Sequence, residues 1–280
     1  YVSSNGLNNT ASKRFGAGKM FELLYPKFFE DVKNYKIKFK VFGSDSIMEK
    51  ELEAYDLKAI WGPRMLTQDP YRVEFKPDCG TAIIRIKTFY FNGNNKPFFQ
   101  FLEEVFVRIK KDKIKNVIID LRANSGGDPV AAGRLFSYLI SKPLRYFADV
   151  YSKEYAHLAE PIQPAVHHFN GNLYVIIDGG GVSTAGHLVS LIKYHKTGML
   201  VGSELGSTFT CNDNCIIKPL SHTGLTVKIA RSTFTTAVSG MKADRGVMPD
   251  YPIPFSIKDF TNGIDSEMEF ILKIIEQRNK

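Results

Sequence analysis

Asn116-Val-Ile-Ile-Asp120-Leu-Arg122-Ala-Asn124-Ser-Gly126-Gly127 and Leu173-Tyr-Val-Ile-Ile-Asp178-Gly-Gly-Gly181-Val-Ser183-Thr-Ala185 are two versions of one pattern. In each, a continuous apolar run ends in a carboxylate and meets a glycine turn. A run that is apolar without alternation is buried on both faces, which marks a strand inside a parallel sheet. Helical spacing follows both copies, over residues 130–140 after the first and through Leu188, Leu191 and Ile192 on one face after the second. Residues 82–86 and 98–109 supply another strand and helix ahead of them, so the chain from Thr81 onward reads as repeated βαβ units. The expected class is therefore α/β. Ligands of open α/β sheets bind beyond the carboxyl ends of the strands, so the two glycine turns are expected to meet at one site.

Working outward, residues 1–18 are rich in Ser, Asn and Gly and are expected to form loop. Met20, Phe21, Leu23, Leu24, Phe28 and Phe29 give a helix an apolar face, with Pro26 bending or splitting it. Ile37, Phe39 and Val41 then alternate as a strand. Residues 1–78 are accordingly expected to be a small flanking α+β subregion, continuing a domain upstream of Tyr1, and residues 79–280 the main α/β core. Between the two glycine-turn units, residues 154–171 hold Pro161, Pro164, His157, His167 and His168 without any period, the mark of a functional flap or a mobile loop. The tail returns to strands over 216–219 and 225–230, a loop over 244–250, and a final amphipathic helix from about Asp265.

At 280 residues, 44% hydrophobic and 24% charged, the chain has ample material for a core, which excludes a disordered tail and a disulfide-held miniprotein. Its 37 Lys and Arg against 29 Asp and Glu leave +8, but the positions are scattered. The densest cluster, Lys110, Lys111, Lys113 and Lys115, stands at a helix exit where cations complement the dipole, so no nucleic-acid partner is expected. No apolar run reaches the roughly 18–20 residues that cross a bilayer, so no transmembrane segment is expected. Three cysteines cannot make a disulfide framework, although Cys211 and Cys215 are close enough to form a local bridge. A zinc site would need soft ligands that Cys79 and a distant histidine do not supply at usable spacing, so no metal is expected.

Ser183 follows a strand and three glycines and precedes a helix, which is where a nucleophile belongs. Gly181-Val-Ser183-Thr-Ala185 departs from Gly-x-Ser-x-Gly at its last position, and serine is equally at home there as a helix N-cap. Gly126 and Gly127 let a carbonyl approach the backbone, so an amide of either, with that of Thr184, could make an oxyanion hole. The same glycines would also suit a tight turn with positive φ. A phosphate cradle is disfavoured because no Gly-Lys-Ser/Thr follows. His187, four residues after Ser183, shares its helix face and leans back toward it.

Asp-Leu-Arg-x-Asn-x-Gly-Gly at 120–127, Val-Ser-Thr-Ala at 182–185, Leu-Val-Gly at 200–202, Pro-Leu-Ser-His-Thr-Gly at 219–224 and Gly-Val-Met-Pro-Asp at 246–250 stand in the order found in the tail-specific, or C-terminal processing, serine peptidases. From about Thr81 to the C-terminus the chain resembles that family, peptidase family S41. It is most similar to the bacterial members without the catalytic lysine, with tricorn-type relatives. The resemblance implies a crotonase-like α/β core, a Ser183 nucleophile, and an oxyanion hole from the Gly126/Gly127 turn and the Thr184 amide. It implies a polypeptide substrate held along a strand that includes Leu220, Ser221, His222, Thr223 and Gly224, no cofactor, and an extracytoplasmic setting that is periplasmic, secreted or lipid-anchored.

Two departures accompany it. Thr208 stands where Ser-Lys members carry lysine, and Ala243 where tricorn-type relatives carry an acid, leaving Asp244 as the substitute. The general base is then expected to be a histidine in a Gly-His-Thr-like motif upstream of this chain, with His187 and His222 as candidates inside it. The competing expectation is a non-catalytic module on the same fold that holds a polypeptide or an apolar ligand.

Overall fold

The computed structural model describes residues 8–28, 33–40, 44–54, 69–212 and 216–279. In chain order the elements are α1 (Thr10–Phe28), β1 (Asn34–Lys40), β2 (Ile47–Glu53), β3 (Tyr71–Lys76), β4 (Thr81–Ile86), α2 (Lys96–Lys111), β5 (Asn116–Asp120), α3 (Pro129–Ser137), β6 (Leu144–Arg145), β7 (Pro161–Ile162), β8 (Asn172–Ile177), α4 (Thr184–His195) and β9 (Met199–Gly202). The tail adds β10 (Thr210–Asn212), β11 (Ile216–Pro219), β12 (Thr226–Ile229), β13 (Thr233–Thr235), β14 (Tyr251–Pro252), α5 (Ile257–Thr261) and α6 (Ser266–Asn279). Six strands form the central sheet in the order β14-β9-β8-β5-β4-β3. All neighbours run parallel except β3, which is antiparallel to β4. The fold class is α/β, as the strand runs predicted.

The apolar strands serve two cores because successive side chains leave opposite faces of the sheet. Ile83, Ile118, Tyr174 and Ile176 pack with Met268, Ile271 and Ile275 of α6 on one face. Ile84, Ile119, Val175 and Ile177 face the larger core. There Phe98, Leu102, Val105, Phe106 and Ile109 follow the helical stripe of α2, joined by residues of α3 and α4. Helices on both faces leave the strand ends as the accessible part of the sheet, which is where the two glycine turns emerge.

Two expectations about the N-terminal part change. The main sheet takes its edge strand, β3, from residues 71–76, so it straddles the boundary expected at 78/79. Helix α1 starts at Thr10, inside the stretch expected to be loop. Buried Asn9 caps it: Oδ1 accepts from Ser12 N–H at 2.9 Å while Nδ2 donates to the Leu205 carbonyl at 3.0 Å. The polar run therefore contains a helix-start signal as well as loop residues. Pro26 lies within α1 near its end. Expectations that fall on residues 1–7, Phe29 and Val41 lie outside the described residues.

Arg122 ties the end of β5 to the C-terminal helix. Its guanidinium reaches Asp120 at 2.8 Å, Asp265 at 2.7 Å and Glu267 at 3.3 Å. Asp120 is almost wholly buried, so it depends on a cationic partner. Arg122→Ala should lower the unfolding free energy by roughly 2–4 kcal/mol in urea titration, with an unchanged slope if the native fold is retained. A loss below about 0.5 kcal/mol would show that Arg85, 3.9 Å from Asp120, suffices alone.

Candidate active site

The turns after β5 and β8 are joined directly. Val182 N–H donates to the Asn124 carbonyl at 2.9 Å, and Thr184 Oγ1 donates to the Gly127 carbonyl at 2.6 Å. Asp178 Oδ1 accepts from Ala123 N–H at 2.7 Å and from Gly180 N–H at 3.0 Å, so one carboxylate oxygen serves both turns. The glycines are needed for this approach. A Cβ on Gly126 would lie 2.7 Å from Ser183 Cβ, and one on Gly127 would lie 2.3 Å from the backbone at Phe89 and Tyr90. Both also have positive φ, at 75° and 140°. Their demand comes from the chain itself, before any substrate is considered.

Ser183 has φ 57° and ψ −120°, a conformation that non-glycine residues avoid. Its N–H donates to Ser207 Oγ at 3.0 Å, and its side chain makes no capping bond to α4. Ser183 therefore stands at the N-cap position of α4 without capping it through its hydroxyl. A strained strand-to-helix turn that turns a hydroxyl away from the helix amides is the geometry of a nucleophile elbow. Nearby, the Gly126 amide donates to Asn124 Oδ1 at 2.9 Å and is committed there. The amides of Gly127 and Thr184 make no hydrogen bond to another described residue.

Ser183, Thr184 and Gly127 line a cleft of about 490 Å³ together with His187, Cys211 and Phe234. Cys211 Sγ lies 3.7 Å from Ser183 Oγ and 3.0 Å from His187 Nε2. His187 is buried, with the rings of Phe147 and Tyr146 edge-on to its own at 5.3 Å and 6.1 Å. Burial pushes its imidazole down to about 4, against a smaller effect of the Phe234 backbone that favours the charged ring. No cluster of three metal-ligating side chains occurs among the described residues.

The sequence model of peptidase family S41 matches residues 80–253. The chain belongs to peptidase family S41. No curated protein matches it. Among solved structures, mature CPAF in complex with lactacystin superposes with a TM-score of 0.57 at 13% identity, over 88% of this chain and 69% of that one. An S41 protease candidate from Bacteroides fragilis NCTC 9343 gives 0.56 at 14% identity, over 86% and 65%. A peptidase candidate from Parabacteroides merdae ATCC 43184 gives 0.55 at 14%, over 94% and 83%. At these identities the likeness is one of fold.

Several positions singled out in this S41 chain lie away from the cleft lining. Leu220 to Gly224 do not form a strand: Leu220 N–H donates to Leu225 O and Gly224 N–H to Leu220 O, closing the exposed turn of the β11–β12 hairpin. His222 sits on that turn. Asp244 is exposed and accepts from Asn8 Nδ2 at 2.7 Å, so it anchors the entrance to α1. Thr208 is buried, with Oγ1 donating to the Thr210 carbonyl. Cys215, and with it the expected bridge to Cys211, lies outside the described residues.

Of the expected flap, Glu154 and Tyr155 reach the cleft, whereas His167 faces Glu103 and His168 bonds the Ala165 carbonyl. The S41 resemblance missed Cys211 as a neighbour of the serine. Ser207, which holds the Ser183 amide, carried no sequence signal either.

His187 gives a stability signature whose sign can be worked out. Its folded pKa of about 4 lies below the ordinary value of about 6.5, so between these the unfolded chain binds a proton that the folded chain rejects. The contribution present above pH 6.5 is lost as pH falls toward 4, by up to about 3 kcal/mol. In His187→Gln the unfolding free energy should vary less with pH across that window than in the native chain. Parallel curves would show that the ring is solvated.

Proposed function

We propose that this S41 protein is a serine endopeptidase that cleaves polypeptides with Ser183 as nucleophile and the amides of Gly127 and Thr184 as oxyanion donors. The observation that carries the reading is the strained Ser183 elbow, its hydroxyl released from helix capping and facing a cleft beside two uncommitted amides. Gly126 is left out of the donor set because Asn124 already takes its N–H. In the reaction, Ser183 Oγ bonds to the peptide carbonyl carbon, and the negative oxygen is received by the Gly127 N–H of the turn after β5 and the Thr184 N–H at the start of α4, where the helix dipole adds to the second donor. The cleft wall at Tyr155 and Phe234 would accept an apolar substrate side chain.

A fluorophosphonate probe should label Ser183 in the full chain and fail on Ser183→Ala, because capture needs the hydroxyl and the oxyanion donors together. Peptide hydrolysis should fall by roughly 10³-fold or more in the same variant. A folded native chain that takes no label would instead be the non-catalytic binding module. Labelling of another residue would move the nucleophile.

A further inference from the structure

No side-chain hydrogen bond joins Ser183 and His187, although they stand one helical turn apart. Cys211 stands between them, with Sγ 3.7 Å from Ser183 Oγ and 3.0 Å from His187 Nε2. Sulfur is larger than oxygen and its hydrogen bonds are longer and weaker, so both distances are contacts a proton can cross. All three side chains line the same cleft as the two oxyanion amides. We propose that Cys211 and His187 form the proton relay of Ser183, Cys211 as a catalytic residue touching the nucleophile and His187 as the positioning residue that finally holds the proton.

This rests on the serine-peptidase reading of the same site. As Oγ bonds to the carbonyl carbon, the Oγ–H bond breaks and its proton passes to Sγ while the Sγ–H proton passes to Nε2. The carbonyl π pair moves onto oxygen, facing Gly127 and Thr184. On collapse the C–N bond breaks, and the proton returns from Nε2 through Sγ to the departing amine. Water then releases the acyl group along the same path, with no net redox change. Burial keeps the resting imidazole neutral, so Nε2 has a lone pair available without first shedding a proton. Burial opposes the proton that the ring then gains, and the oxyanion forming across the cleft, with a smaller effect of the Phe234 backbone, acts against that cost.

The test uses the full chain under reducing conditions, with steady-state peptide hydrolysis and fluorophosphonate labelling as readouts. Cys211→Ala should lower kcat by roughly 10²–10³-fold with KM within about threefold, His187→Ala should do likewise, and the double variant should be no worse than either. Cys211→Ser replaces the thiol with a hydroxyl that also donates and accepts, so it should run at least about tenfold faster than Cys211→Ala. Methyl methanethiosulfonate should silence the native chain, reversibly with dithiothreitol, and leave Cys211→Ser unaffected. Cys79→Ala and Cys215→Ser should remain sensitive to the reagent.

The relay is overturned if Cys211→Ala stays within twofold of the native chain, or if Cys211→Ser is as slow as Cys211→Ala while both melt normally. If either happens while Ser183→Ala is inactive, only the relay falls. If Ser183→Ala remains active, the nucleophile assignment falls and takes the relay with it.

Discussion

Asp178 accepts amides from both glycine turns through a single oxygen, and the site depends on that shared acceptor. Burial pushes this carboxyl up, which is the cost of placing a carboxylate at the end of an inner strand, and the N–H donors from Ala123 and Gly180 act against it. With the turns clamped, Gly126 packs against Ser183 at a distance no side chain would permit. The Ser183 backbone is then held in a conformation worth about 1–3 kcal/mol of strain. Neighbouring bonds from Val182 to Asn124 and from Ser183 to Ser207 fix it there. The strain is useful because a relaxed serine at this position could cap α4 and bury the hydroxyl that the cleft needs exposed.

The parts of this arrangement legible in the sequence are those set by burial period and by glycine. β5 and β8 are buried on both faces, so their apolar runs are unbroken and could be recognised without any long-range information. The turn glycines were equally visible, though for a different reason from the first one considered: neighbouring backbone excludes a Cβ at both positions. What stayed hidden was settled by contacts between distant residues. The hold of Ser207 on the Ser183 amide spans 24 residues and left no local trace, whereas the Asn124 bond to the Gly126 amide two residues on is a local Asx turn that separates Gly126 from Gly127 as a donor.

Local polar composition misled at two places, in opposite directions. Asn9 and its neighbours read as loop, yet the Leu205 carbonyl and the Ser12 amide turn Asn9 into a buried cap. Leu220 to Gly224 lies between two β-prone runs and follows a family strand motif, yet Gly224 at φ 67° closes a hairpin there. Cys211 was visible as a cysteine, and its neighbour Cys215 suggested a bridge that lies outside the described residues; its contact with His187, 24 residues away, carried no local signal.

The departure at Thr208 acquires a physical sense from the same packing. Thr208 is only 1% exposed and its hydroxyl is engaged with Thr210 on both sides, donating to the carbonyl and accepting from the amide. An ammonium introduced there would have to shed its water, and a lysine must also lose a proton, about three pH units below its ordinary range, before it can act as a base at neutral pH. Ser183 instead has beside it a thiol, an imidazole kept uncharged by burial, and hydroxyls that bond to backbone, while Glu154 and Arg231 also line the cleft. For such a set the resting state is already the proton-accepting state. Burial favours the neutral form of either base, and at His187 it leaves the lone pair of an uncharged imidazole available without the removal of a proton that a lysine at Thr208 would first require.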